Sequence, residues 1–93
     1  MRELQETFIG KGQVKGFAFT QIEKSASAYI YEVKTESTKY YEVFKRIENT
    51  RFGCVSYPSN NSFGVWAWTF PELIKAEEKF DELELLFEIK IGL

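Results

Sequence analysis

This 93-residue chain holds no histidine, so the side chains considered first for acid–base or nucleophilic chemistry are its carboxylates and its one cysteine. Without histidine, a Ser-His-Asp triad, a Cys-His pair and zinc sites built from several Cys and His are excluded. The glycines near the N-terminus do not fit the G-x-G-x-x-G pattern, and no G-K-[ST] sequence occurs, so no phosphate-binding loop is recognisable.

The carboxylates of the C-terminal third are interpreted as a solvated surface. They are Glu77, Glu78, Asp81, Glu82 and Glu84. General acid–base catalysis needs two carboxylates that converge on a cleft with separated pKa values. These residues fall on one predicted helix, mostly off its apolar side, and they lack the spaced loop of an EF-hand calcium site.

Cys54 could be a nucleophile only if a neighbour such as Arg51 or Lys45 lowered its pKa, and a buried structural cysteine is favoured. The sequence therefore predicts a protein that is not an enzyme and has neither a metal site nor a cofactor.

Aromatic and basic side chains on adjacent predicted strands form the candidate binding face. Sheets that bind single-stranded nucleic acid stack bases on aromatic rings and hold phosphates with Lys and Arg. The alternative is that these are ordinary half-buried strand residues with solubilising lysines. The candidate residues are Tyr29, Tyr31, Lys34, Lys39, Tyr40, Lys45, Arg46 and Arg51.

Charge argues against a general electrostatic nucleic-acid binder, because the net charge is −2. A single cysteine cannot form an internal disulfide. The N-terminus lacks the apolar stretch of a signal peptide, and no apolar run approaches the length of a membrane span. We therefore expect a cytoplasmic protein without a membrane partner.

Period-two alternation of apolar and polar residues predicts the strands. Aromatic and β-branched residues favour this pleated setting. Trp66 and Trp68, two apart on the last strand, are expected on one face, either under the helix or, if that face is open, as a binding hot spot. The strands are predicted over residues 14–24, 28–34, 39–47 and 63–68, and residues 51–57 are predicted as a further strand or an extended segment.

A helix is predicted to follow, with Thr69 as N-cap and Glu72 completing a capping box. Pro71 is tolerated in the first helical turn. One apolar stripe predicts the buried side of this helix. It consists of Leu73, Ala76, Phe80, Leu83 and Phe87.

The tail carries two overlapping patterns, because residues 83–91 also alternate with strand period. Either the helix continues, or it ends near Leu83 and a last strand forms over about 86–91. Such a strand would add to a sheet edge of its own chain or of a second chain.

These patterns predict an α+β fold, an antiparallel meander of four to five strands with one C-terminal helix packed on one face. The chain is expected to form a single domain over 1–93, with a flexible N-terminal arm at 1–12 and 86–93 as the candidate extra strand. The predicted function is a non-catalytic binding module whose partner is a protein or an identical subunit, with a homodimer as one form. The alternative is single-strand nucleic-acid binding through the open sheet face.

Three stretches of the chain resemble small uncharacterised bacterial proteins associated with mobile elements. The resemblance covers about residues 14–83 and implies no function or functional residue. It is carried by the runs at 40–46 (YYEVFKR), 63–70 (FGVWAWTF) and 80–83 (FDEL).

Overall fold

A hairpin forms the centre of the sheet. The structure is a computed structural model that describes residues 1–92, and the hairpin consists of β3 (Ala28–Lys34) and β4 (Lys39–Lys45). Its turn is closed by Thr35, whose backbone N–H donates to the carbonyl oxygen of Thr38 at 2.9 Å. Both strands are rich in aromatic and β-branched residues, and both are buried on their two faces.

Three further strands complete an antiparallel sheet of five. They are β1 (Thr7–Ile9), β2 (Ala18–Lys24) and β7 (Ala67–Phe70), and the helix α1 (Leu73–Lys90) follows β7. The order of the strands across the sheet is β1-β2-β3-β4-β7. A separate pair of two-residue strands, β5 (Glu48–Asn49) and β6 (Cys54–Val55), lies in the connection from β4 to β7. The predicted α+β fold, with its antiparallel sheet and one C-terminal helix, is confirmed.

Each face of the sheet carries its own core. On one face, α1 packs against β3, β4 and β7. The other face is covered by the N-terminal arm and by the long connection after β4. The helix-side cluster contains Ala28, Ile30, Tyr41, Val43, Ala76, Phe80 and Leu83. The opposite cluster contains Phe19, Tyr29, Tyr31, Val33, Phe44, Val55 and Ala67.

Two predicted strands begin later than expected. The strand predicted over 14–24 starts at Ala18, and the one predicted over 63–68 starts at Ala67. The physical reason is a glycine with a positive φ before each of them, since Gly16 has φ 84° and Gly64 has φ 85°. These values belong to tight turns that glycine adopts without steric cost.

The region between β4 and β7 also differs from the prediction. The strand predicted over 39–47 ends at Lys45. The strand predicted over 51–57 shrinks to β6, which pairs with β5 in a short ribbon. Gly53, with φ 63°, makes the turn that joins the two.

The predicted capping box is wrong. Thr69 lies inside β7, where it is paired with Glu42, and α1 begins at Leu73 with Glu72 as an N-cap that makes no side-chain capping bond. Pro71 explains the displacement, because a residue that precedes proline is kept out of the helical region. Phe70 is therefore held in the strand.

The strand alternative for the tail is also wrong, because α1 continues without a break to Lys90. Leu, Glu, Phe and Lys are compatible with a helix, and Gly92, with φ 81°, follows its end as a glycine often does. Ala76, Phe80 and Leu83 of the predicted stripe are buried, but Phe87 is 37% exposed. Leu93 lies outside the described residues.

The N-terminal segment, predicted to be a flexible arm, follows a defined course along the sheet. The backbone N–H of Arg2 donates to Gly53 at 2.7 Å. The guanidinium of Arg46 donates to both carboxylate oxygens of Glu3, at 2.6 and 2.7 Å. Tyr29 also donates its hydroxyl to Glu3, at 2.7 Å. Bidentate pairs of this kind combine charge with a fixed geometry.

Acid is expected to weaken this attachment of the arm. The hydrogen bonds from Arg46 and Tyr29 lower the pKa of Glu3 from 4.5 to about 2. A carboxylate with a depressed folded-state pKa stabilises the fold above its unfolded value, and the stabilisation is lost as the pH falls toward the folded one. The melting temperature of the wild type should exceed that of Glu3→Gln near neutral pH, and the difference should vanish between about pH 4.5 and about pH 2.

Glu6→Gln is the matched control, since Glu6 lies in the same arm and has no ion-pair partner within residues 1–92. A Glu3→Gln difference that stays constant with pH, or that Glu6→Gln reproduces, would contradict the assignment.

Candidate functional site

The tyrosines of the predicted binding face lie in the interior. Tyr29 and Tyr31 are 0% exposed. The Tyr31 hydroxyl donates to the backbone carbonyl of Gln5 at 2.6 Å, so the arm covers the rings that were expected to stack on a ligand. Tyr40 is half-buried against the same cluster. The expectation of an open aromatic face on this side of the sheet is therefore wrong.

The basic residues of that face do not form one surface. Arg46 is mostly buried and is neutralised by Glu3 and by Glu48, which accepts a bond at 3.2 Å. Lys34 and Lys39 lie opposite each other on β3 and β4, beside the hairpin turn, and Lys45 lies at the other end of β4.

Arg51 lies outside the main sheet, in the connection between β5 and β6, with its guanidinium 5.3 Å from the ring centre of Phe52. Of the predicted face, the structure thus brings together Tyr29, Tyr31 and Arg46 as part of a core network, with Tyr40 packed against the same cluster.

The two tryptophans are separated by the sheet. Trp68 lies in β7 on the helix side, where the ammonium of Lys79 sits 4.0 Å from its ring centre. Trp66 packs on the opposite cluster, 6.3 Å from Phe44. The prediction that both share one face is wrong because Trp66 precedes the strand, where period-two alternation does not apply.

The last two turns of α1 expose large apolar side chains, with the charged residues Glu88 and Lys90 between them. Leu83 is the last buried residue of α1, and residues 85–90 of the helix are exposed. We call the apolar residues beyond this point the tail patch, and their exposed fractions run from 37% for Phe87 to 63% for Ile89. The tail patch consists of Leu85, Leu86, Phe87, Ile89 and Ile91.

A groove of about 190 Å³ adjoins the tail patch, between the end of α1 and the end of β4. Its apolar lining includes Leu83, Leu86 and Ile47, and the exposed Lys45 and Lys90 form a basic rim. Glu88 belongs to the same helical turns and is exposed. Apolar surface and both signs of charge therefore lie within one small region.

A second feature lies on the opposite face of the sheet, where Glu42 is a buried carboxylate among aromatic rings. Glu42 is 8% exposed and accepts a hydrogen bond from the hydroxyl of Tyr57. Burial raises the pKa of Glu42, against the effect of that hydrogen bond. Burial and the neighbouring carboxylate likewise raise the pKa of Tyr57.

Sequence reasoning missed this pair, although a signal for Glu42 was present. Glu42 lies on the same face of β4 as Tyr40 and Phe44. A carboxylate that is buried on such an apolar face needs a hydrogen-bond or charge partner. Tyr57 gave no comparable signal, because it lies in an irregular loop.

Residues 1–92 hold no group of three or more His, Cys, Asp or Glu side chains placed to hold a metal ion. Over the same residues, no helix combines the length and the apolar character needed to cross a membrane.

No family model matches this chain, and no curated protein or solved structure is significantly similar to it. The resemblance to small proteins of mobile elements therefore stays a prediction.

Proposed function

We propose that this protein is a non-catalytic self-association module in which the tail patch of one copy packs against the tail patch and groove of a second copy. The observation that carries the proposal is the exposure of five large apolar side chains within residues 85–91, at the end of α1. A helix of a globular protein normally buries its apolar side chains against the core and exposes its charged ones. Contiguous exposed apolar surface of this kind marks an interaction site.

Charge complementarity favours a second copy as the partner. The groove rim is basic through Lys45 and Lys90, and the helix tail that would enter it carries Glu88. In a two-fold contact each copy supplies both surfaces, so that Glu88 of each copy approaches the basic rim of the other. The same residues thus serve as both halves of the contact.

The size of the tail patch predicts a concentration-dependent dimer. Full burial of a Leu or Ile side chain contributes roughly 1.5–3 kcal/mol, and these side chains are already about half buried. Association itself costs an estimated 4–15 kcal/mol. With both copies contributing, we expect a dissociation constant in the micromolar range.

Replacing Ile89 by serine should weaken the dimer. The change removes apolar area from the centre of the tail patch in both copies, and we expect the dissociation constant to rise at least roughly tenfold. Sedimentation equilibrium over a range of micromolar concentrations measures this directly.

Ile74→Ser is the matched control, because Ile74 is on the same helix and 61% exposed, against 63% for Ile89, but lies at the other end. We expect its dimer to match that of the wild type. A wild-type protein that stays monomeric throughout the range, or equal losses in the two variants, would contradict the proposal.

A further inference from the structure

A second pocket lies on the sheet face opposite α1, away from the tail patch. Its volume is about 370 Å³, within the range typical of small-molecule sites. Its walls include Phe8, Phe19, Tyr57 and Phe63, and Glu42 also lines it. Phe8 and Phe19 are stacked with ring centres 4.6 Å apart, and Tyr57 stands edge-on to both at 5.4 and 5.6 Å.

One of the two carboxylate oxygens of Glu42 is available to bind a ligand. Its Oε1 accepts from Tyr57, whereas its Oε2 has no hydrogen-bond partner within residues 1–92. Over the same residues, no fully buried side-chain nitrogen or oxygen lacks a partner. Oε2 is therefore not fully buried, and the open space that Glu42 borders is this pocket.

The surroundings of this oxygen select for a cation. Burying a carboxylate in apolar surroundings is costly unless it is paired, and a cationic donor supplies both the charge and the hydrogen bond. Aromatic ring faces attract cations as well. Lys11 on the rim is exposed to water, where its charge is screened.

We propose that this pocket binds a small organic cation, in which an ammonium group pairs with Glu42 Oε2 and a flat apolar body lies among the rings of Phe8, Phe19 and Phe63. An anion of the same shape is disfavoured because it would meet the Glu42 carboxylate. A neutral analogue keeps the ring contacts and loses the charged hydrogen bond.

The probes that test this are phenethylamine and its neutral analogue 2-phenylethanol, followed by amide chemical shifts in NMR titrations. Phenethylamine should bind at least roughly tenfold more tightly than the alcohol, with saturable shifts at residues around Phe8, Gly10 and Phe63. Equal affinities, or shifts confined to other parts of the chain, would overturn the proposal.

Glu42→Gln should abolish the preference for the amine, because the amide keeps the size of the side chain and removes its charge. The control is Glu32→Gln, a carboxylate of the neighbouring strand that lies on the helix side of the sheet beside Lys34. It should retain the preference. A Glu42→Gln variant that still prefers the amine would refute the role of the carboxylate.

Phe63→Ala tests the walls of the pocket without touching the buried acid, and since Phe63 is only partly buried this variant is expected to fold. It should weaken the binding of both probes several-fold. Unchanged binding of both probes would place them outside this pocket and overturn the assignment.

Discussion

Replacing Phe44 by alanine is expected to destabilise the fold by about 3–5 kcal/mol. The ring is 0% exposed at the centre of the aromatic cluster. Its centre lies 5.4 Å from that of Tyr29, 5.7 Å from Tyr31 and 5.0 Å from Tyr57. The substitution removes these contacts and leaves a cavity that the surrounding strands cannot close.

The expected loss is large compared with the whole stability of a small domain, which is about 5–15 kcal/mol. Urea unfolding followed by tryptophan fluorescence measures it, and the midpoint should fall steeply. Phe52→Ala is the control, since Phe52 is 67% exposed and its loss should change the free energy of unfolding by less than about 0.5 kcal/mol. Similar losses for the two variants would show that the aromatic cluster is not the core described above.

Replacing Phe80 by alanine is expected to cost a similar amount, about 3–5 kcal/mol, on the other face of the sheet. Phe80 is 2% exposed and packs in the cluster that joins α1 to β3 and β4. Because Phe80 is the largest of the three buried residues by which α1 packs on the sheet, we expect the variant also to lose protection against hydrogen exchange in α1. Urea unfolding and amide exchange measure the two effects.

Phe87→Ala is the matched control, because Phe87 lies seven residues along the same apolar stripe but is 37% exposed. We expect it to cost less than half as much as Phe80→Ala when both are measured at protein concentrations where the monomer predominates. An equal cost would mean that the end of the helix packs on the sheet as firmly as its middle. That result would contradict the description of the tail patch as an exposed surface.

A sheet covered on both faces restricts where partners can bind. The tail patch and the Glu42 pocket lie on opposite sides of the sheet, so their tests are independent. Ile89→Ser leaves the pocket intact, and Glu42→Gln leaves the tail patch intact. Failure of one proposal would therefore not decide the other.

The parts of the fold that could be predicted are those governed by local pattern. The strand over Ala28–Lys34 has the predicted bounds, and β4 begins where expected, because alternation and aromatic content persist through both. The helical stripe correctly identifies Ala76, Phe80 and Leu83 as buried. Element ends were less predictable, because the effect of Pro71 on the preceding residue and the turns at Gly16 and Gly64 displaced them.

The candidate site could not be predicted in the same way. Alternation correctly puts Tyr29 and Tyr31 on one face, but it contains no information about what covers that face. The cover comes from the N-terminal arm, held by the pairing of Glu3 with Arg46, which are 43 residues apart. Contacts at this separation leave no local pattern.

Residue types and their short-range spacing are sufficient to predict the α+β class, the central hairpin and the buried stripe of the helix, and they exclude histidine chemistry. Three features come from packing between distant segments: both sheet faces are covered, the end of α1 leaves the tail patch exposed, and Glu42 meets Tyr57 beside a pocket. The physical reason is that burial depends on which distant segments pack together. Phe80 and Phe87 belong to the same apolar stripe of α1, yet Phe80 is buried and Phe87 is exposed.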